Sequence, residues 1–462
     1  MLPSQKCFTD ISNAGMNTAY QILHFVQYAA IRNWSVQYMI GGNFGYSDKY
    51  PLARIGSFLK RSRNVIDIED EVEYKQVTVR TNNGGVCLRD KKRGKDIGTK
   101  KQNRVSKGQY IVSKIDARNG AFGIIPNELD GAIVTNDFPV FDVDNTIINT
   151  EFLLLVTTTK PFVAFAQSCS SGTTNRRRID IDKFLEQEIP LPSLEEQNRL
   201  VQSYNNYIDK ILEIEQTIKG TDAKAKQYIR KALELNKEHG YKDNKLLRFI
   251  RFKDTIIRWD TYAIKEQYKS KWPIVRLGEF ISSISTGTTP PTNHKEYFNG
   301  NIKFYTPADI SGEMYLGDAE RHISQAAVDK AVARVYGKGT ILFVGIGSTV
   351  GKVGIVNEDM VSSNQQITGF MVDERLMCPE YVYCFLHYNK DISTAEQSKT
   401  TLPIVNQSKI SKIPIPIPPK EIQEGIVSYV SAAKARIHEL QTKAASLKVQ
   451  ALQDFEHALF KQ

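Results

Sequence analysis

The 462-residue chain is poor in cysteine: it has five (Cys7, Cys87, Cys169, Cys378 and Cys384), an odd number with no C-x-x-C pair. That pattern offers neither a disulfide framework nor a zinc ribbon, and fits buried or reduced thiols in a reducing compartment. No apolar run approaches the ~18–20 residues needed to cross a bilayer. The opening "MLPSQKCFTD" lacks the basic-then-apolar pattern of a signal peptide. A cytoplasmic protein without membrane contact is expected. Histidine is scarce, with seven in all and no H-E-x-x-H, and no C-x-x-C/H-x-x-H metal pattern occurs. No Ser-His-Asp set can be argued from order alone. Acidic residues are in deficit, 51 against 61 Lys and Arg, which leaves a formal charge of +10 and suggests a polyanionic partner.

What is present is repetition. "EIPLPSLEEQNRLV" (Glu188 to Val201) returns 226 positions later as "PIPIPPKEIQEGIV" (Pro414 to Val427). "YPLARIGSFL" from Tyr50 returns as "WPIVRLGEFI" from Trp272, and "KGQYIVSKIDARNGAFGII" from Lys107 as "KGTILFVGIGSTVGKVGIV" from Lys338. Trp34 has a counterpart in Trp259, and the offset drifts only between 222 and 231. Most of the chain is therefore two copies of one unit. Each copy reads as a β-rich globule with short helices, such as "NTEFLLLVTTT" and "CPEYVYCFLHYN".

After each I-P-x-P the pattern changes. Proline ends an extended segment and suits a helix's first turn. Ile426, Val430, Ala433, Ile437, Leu440, Ala444, Leu447 and Ala451 then recur at alternating spacings of four and three, a heptad seam. Val201, Tyr204, Ile208, Ile211 and Ile218 keep the same rhythm, with Glu215 intruding and Gly220 a point where the helix could break. Each helix could pack on its own globule or serve a dimer. The favoured expectation is that the two seams bury each other as an antiparallel coiled coil, with a globule at each end of a rod and a pseudo-twofold between them.

Two heads on a fixed spacer suit two separated short sites on one duplex, and the heads differ where contact is expected. From Arg89 to Lys107 the first copy carries nine basic residues against two acidic, while its counterpart "ERHISQAAVDKAVARVYGK" is nearly balanced. This run reads either as a solvated surface loop or as phosphate contact, with Lys91, Lys92, Arg93, Lys95, Lys100, Lys101 and Arg104 as the candidates. "TTNRRR" adds Thr173, Thr174, Arg176, Arg177 and Arg178, since arginine forks suit phosphate and guanine edges. In the second copy Thr286, Thr288, Ser348, Thr349, Lys352, Lys399 and Thr400 stand at comparable places.

Two stretches imitate catalytic motifs. "FVGIGSTVGKVG" contains F-x-G-x-G and a Gly-Lys pair, but Val353 follows Lys352 where a phosphate loop needs Ser or Thr, and "VGIVNEDMV" reads as another strand. A glycine-rich β-hairpin is expected there. "DIEDEVEYK" (Asp67 to Lys75) contains E-x-K without a separately placed aspartate. No catalytic residues and no metal ligands are assigned.

The paired variable globules, the I-P-[LI]-P…EEQ-type helix entry, and the openings "RIGSFL" and "RLGEFI" resemble specificity subunits of type I restriction–modification systems. Ser57 departs from the L-G-[DE]-x-I form of that opening. The resemblance implies a mixed α/β fold of two target recognition domains, 34–192 and 259–418. It implies a spacer helix and connector over 193–258 and a second spacer helix over 419–462, the first helix running from Leu194 to about Lys237. A helical segment over 1–33, with "NTAYQILHFVQYAAI", would complete the symmetry. It further implies double-stranded DNA as ligand, two docked methyltransferase subunits, and endonuclease/translocase subunits. S-adenosylmethionine would sit in the methyltransferase partner, ATP and magnesium in the endonuclease partner, and no cofactor in this chain. The contrasting readings are a self-contained methyltransferase or nuclease with degenerate motifs, and a coiled-coil adaptor with protein-binding heads.

Overall fold

The structure is a computed structural model that describes residues 45–171, 178–238, 267–395 and 403–460. The N-terminal segment 1–33, Trp34, Trp259 and the connector beyond 238 lie outside the described residues. The chain forms two compact units, one running to Ile211 and resuming at Ser446, the other comprising Leu212–Ala445.

The echoed segments are paired strands. In the first unit Leu52–Arg54 runs antiparallel to Glu188–Pro190, with Ala53 opposite Ile189. In the second Ile274–Arg276 meets Pro414–Pro416, with Val275 opposite Ile415. Both isoleucines are fully buried. Each ladder ends on proline, which cannot donate to it.

The glutamine three residues into each following helix closes the joint. Gln197 donates to the carbonyls of Pro192 (2.9 Å) and Ile147 (3.2 Å) and accepts from the Asn149 amide (2.8 Å). Gln423 repeats this with Pro418 (3.0 Å), Leu376 (3.3 Å) and the Cys378 amide (3.0 Å). Asn149 and Cys378 are the N-caps of helices Thr150–Thr158 and Pro379–Tyr388, so one buried amide ties the long helix to a short one in each unit.

The sheets repeat as well. Leu59–Ser62, Val140–Val143, Tyr110–Val112 and Phe122–Ile124 form a sheet in that spatial order. Ile281–Thr286, Ile367–Val372, Ile341–Val344 and Val353–Ile355 form the corresponding sheet in the second unit. A second sheet in the first unit runs Val65–Asp67, Lys101–Arg104, Ile133–Val134, Glu73–Val79, Val86–Arg93. Its counterpart, Val335–Tyr336, Val361–Ser363, Phe298–Tyr305, Arg321–Ile323, keeps the order and lacks the first strand. Gly120 and Gly351 occupy the same turn at φ 73° and 86°, a left-handed conformation that costs glycine nothing sterically.

The long helices span Leu194–Ala232 and Lys420–Leu459. In the first unit Leu200, Val201 and Tyr204 share a core with Phe455 and Leu459, and Tyr207 donates to Asp454 at 2.6 Å. In the second unit Ala225, Ile229 and Leu233 share a core with Ile426, Val430 and Ala433, and Tyr228 stacks on Tyr429 with ring centroids 3.9 Å apart. The start of each helix thus lies with the end of the other, an antiparallel pairing.

Three details of the first helix differ from the sequence expectation. The helix runs unbroken through Gly220, which is exposed, because one glycine costs only about 1 kcal/mol against Ala within a helix this long. Glu215 stays exposed while Ile214 is buried, so the seam steps Ile208, Ile211, Ile214, Ile218, and two successive spacings of three replace the intrusion. The helix ends at Ala232 rather than near Lys237. Glu234 turns left-handed (φ 43°), and the Leu235 amide reaches back to the Arg230 carbonyl at 2.8 Å, a Schellman-type stop.

Candidate functional site

The basic run of the first unit is strand and turn, not loop. Lys91, Lys92 and Arg93 belong to Val86–Arg93, an edge strand on Glu73–Val79; Lys95 sits in the 3-10 turn Gly94–Asp96, and Lys101 and Arg104 in Lys101–Arg104. An edge strand admits such charge because its outer side faces water, and lysines there discourage pairing with another chain. The register puts Lys91 opposite Lys75 and Arg93 opposite Glu73, with a bulge at Arg89. Two cations are already engaged: Lys100 on Asp70 at 2.6 Å and the Gly94 carbonyl at 2.8 Å, and Lys92 near Asp90 at 3.4 Å. Lys91, Arg93, Lys95, Lys101 and Arg104 are exposed and make no ion pair among the described residues.

Thr173, Thr174, Arg176 and Arg177 lie outside the described residues, as do Lys399 and Thr400. Arg178 is described: it begins the short strand Arg178–Ile179 and holds Asp137 through two bonds, of 3.1 and 3.4 Å.

Next to Asp137 the first unit opens a groove of about 440 Å³. Arg61, Ser62, Arg63, Asn103, Lys114 and Asn136 supply its polar lining, Val65, Phe138 and Val140 part of its apolar floor, and no acidic residue lines it. None of the three cations has an ion-pair partner among the described residues, and the nearby carboxylate of Asp137 is taken by Arg178. In a region of unbalanced positive charge an anion gains without a competing internal partner. These residues come from four strands and the turns that follow them. Only the ladders bring them together: Arg61 opposite Phe141, Asn103 opposite Val134, and the Lys114 amide on the Asp137 carbonyl at 2.8 Å. Sequence reasoning missed them because Arg61 and Arg63 lie only in the short "KRSR", Asn103 is an uncharged residue within the longer basic run, and Lys114 and Asn136 stand in no basic run.

The second unit builds the same frame with other side chains. The Lys114 backbone accepts from the Ile179 amide at 2.9 Å, and Gly345 accepts from Val405 at 2.8 Å. The Gly345 amide in turn meets the Gln366 carbonyl at 2.8 Å, where Lys114 meets Asp137. Gly345 thus replaces Lys114, Gln365 replaces Asn136, and the strand registers put Ile284 at the place of Arg61 and Thr286 at that of Arg63. Thr286 bonds Thr368 at 3.0 Å and Gln407 at 2.9 Å, Thr288 accepts from the Arg334 amide at 2.8 Å, and Thr289 donates to Gln365. This surface is hydroxyl-rich where the first is lined by three cations.

The repeat of the frame has a counterpart in known proteins. The family described as "Type I restriction modification DNA specificity domain" matches residues 54–221 and again 269–448. The chain belongs to that family. It is similar to the specificity subunit of the type I restriction enzyme MjaIX from Methanocaldococcus jannaschii, at 29% identity over 185 residues. That match covers 38% of this chain and 41% of the relative's length. The HindI specificity subunit of Haemophilus influenzae is 24% identical over 379 residues, covering 71% of this chain and 80% of the relative. A solved chain from work on complex assembly and conformational transition of the type I R-M system shares the fold, with a TM-score of 0.52 at 18% identity, over 89% of this chain and 98% of that one.

In this specificity-domain fold, "FVGIGSTVGKVG" is the hairpin Ile341–Val344/Val353–Ile355, with Ser348 and Thr349 in its turn. Lys352 reaches the Pro307 carbonyl at 3.4 Å. The chain leaves the glycines as strand, without the helix a phosphate cradle requires. Glu73 and Lys75 of the E-x-K sequence stand on one strand, and Lys75 donates to the Glu128 carbonyl at 2.9 Å. No helix among the described residues is long and apolar enough to cross a membrane.

Proposed function

We propose that this chain is the sequence-reading subunit of a type I restriction–modification complex. It binds a bipartite target on double-stranded DNA, one half-site per unit. One observation carries the reading: a single frame built twice, with family membership in both copies, and with different chemistry at equivalent positions. Two identical readers would suit a symmetric target; a cationic groove and a hydroxyl-rich surface suit two unlike halves.

In this reading the chain is non-catalytic. Two methyltransferase subunits dock on its long helices and hold S-adenosylmethionine, while endonuclease/translocase subunits bring ATP and magnesium. The chain's own contribution is position: phosphate contacts set affinity and base contacts choose the site.

The test is binding of duplex DNA by the assembled complex over a salt series. Log affinity should fall linearly with log salt, on a steep slope set by the neutralised phosphates. Salt-independent binding, or none, with the chain folded and bound to partner protein, would instead favour an adaptor with protein-binding heads.

A further inference from the structure

The groove contains a pair of amides that nothing in the fold uses. Asn103 Nδ2 donates to Asn136 Oδ1 at 3.0 Å, and the pair makes no other side-chain hydrogen bond among the described residues. One bond between two amides leaves an acceptor oxygen on the first and donor hydrogens on the second. The leftover groups therefore form an adjacent acceptor and donor, whichever way the amides are turned. Adenine presents the complement in the major groove, the N6 donor beside the N7 acceptor.

We infer that the Asn103–Asn136 pair reads an adenine in the half-site of the first unit, with Arg61, Arg63 and Lys114 holding the phosphates on either side. This rests on the DNA-reading function proposed above and adds the residues and the base. Asn136 is exposed and Asn103 half-buried, so a base edge can reach them from the groove mouth. A single asparagine on a flexible stem would have to be ordered on binding. Two amides already bonded, one of them on a sheet strand, lose less entropy. The second unit lacks the pair: the register Val335 opposite Ser362 carries on to put Arg334 at the place of Asn103, and Gln365 is engaged by Thr289.

The experiment uses the full chain assembled with its methyltransferase, and duplexes with single base-pair changes across the mapped target. Asn136→Leu and Asn103→Leu should each lose about tenfold of discrimination at one A·T position and leave the other positions unchanged. Asn136→Asp, which keeps the size and replaces donors by acceptors, should shift that position toward cytosine, whose N4 amine is a donor. Arg61→Ala, Arg63→Ala and Lys114→Ala should weaken every duplex alike and each lower the salt slope by about one. If the asparagine variants discriminate as the wild type does, or weaken all duplexes equally, the amide pair is not a base reader, although the wild type still selects its target. If the wild type prefers no duplex, the DNA-reading function fails and this assignment falls with it.

Discussion

Gln197 and Gln423 are single side chains on which much of each unit hangs. Each is buried and satisfies three backbone groups at once. Leaving such groups unpaired costs about 1–3 kcal/mol apiece. Gln197→Leu or Gln423→Leu should thus destabilise by roughly 3 kcal/mol or more, read as a fall in the thermal midpoint of about 2–4 °C per kcal/mol for units of this size. A midpoint unchanged by either substitution would mean that the shared glutamine is incidental to the joint. His387 makes a second residue-scale prediction. It stacks on Tyr383 and meets Tyr388 edge to face, and its Nδ1 is sealed from solvent without a hydrogen-bond partner among the described residues. Burial, with Lys434 and Lys390 adding repulsion, pushes its pKa down to about 3 from 6.5. The folded state then binds fewer protons than the unfolded chain between those two values, so stability falls as pH drops through that window, by up to ~1.4 kcal/mol per pH unit. Denaturant titrations of the wild type and of His387→Gln between pH 7 and 4 check this: the variant should show the shallower pH dependence.

Among the elements, the long helices and the entry ladders were the most legible in the sequence, because heptad spacing and I-P-x-P are local signals. Val201, Tyr204, Ile208, Ile211 and Ile218 all lie on the half-buried or buried side, as do Ile426, Val430, Ile437, Leu440 and Leu447. The step at Ile214 was hidden because Ile211 and Ile214 both fit a helical face, and packing alone selects between Ile214 and Glu215. The loop alternative for the basic run fails for a related reason. High charge argues against a buried strand, but it is compatible with the outer strand of a sheet, and which strand is outermost is a tertiary fact. Gly220→Ala offers a test at this scale. A Cβ at that position meets no atom within 4 Å, and the helix continues on both sides. The substitution should stabilise by about 0.5–1 kcal/mol; a loss of stability would mean that the glycine serves a bend or a docked partner.

At the scale of the whole molecule, the account is of one frame with two chemistries. Registers, cap positions and the glutamine joint are kept between the units, and the side chains offered at equivalent places are exchanged: Arg63 for Thr286, Lys114 for Gly345, Asn136 for Gln365. The repeat itself could be read from sequence. The groove could not, since its residues are spread from Arg61 to Val140 and are gathered only by strand pairing. The most direct measurement is a genome-wide map of methylated bases in a host co-expressing this chain with its methyltransferase. The account predicts a split motif, two short and unlike defined halves around an undefined gap. Methylation at a single contiguous motif would contradict it.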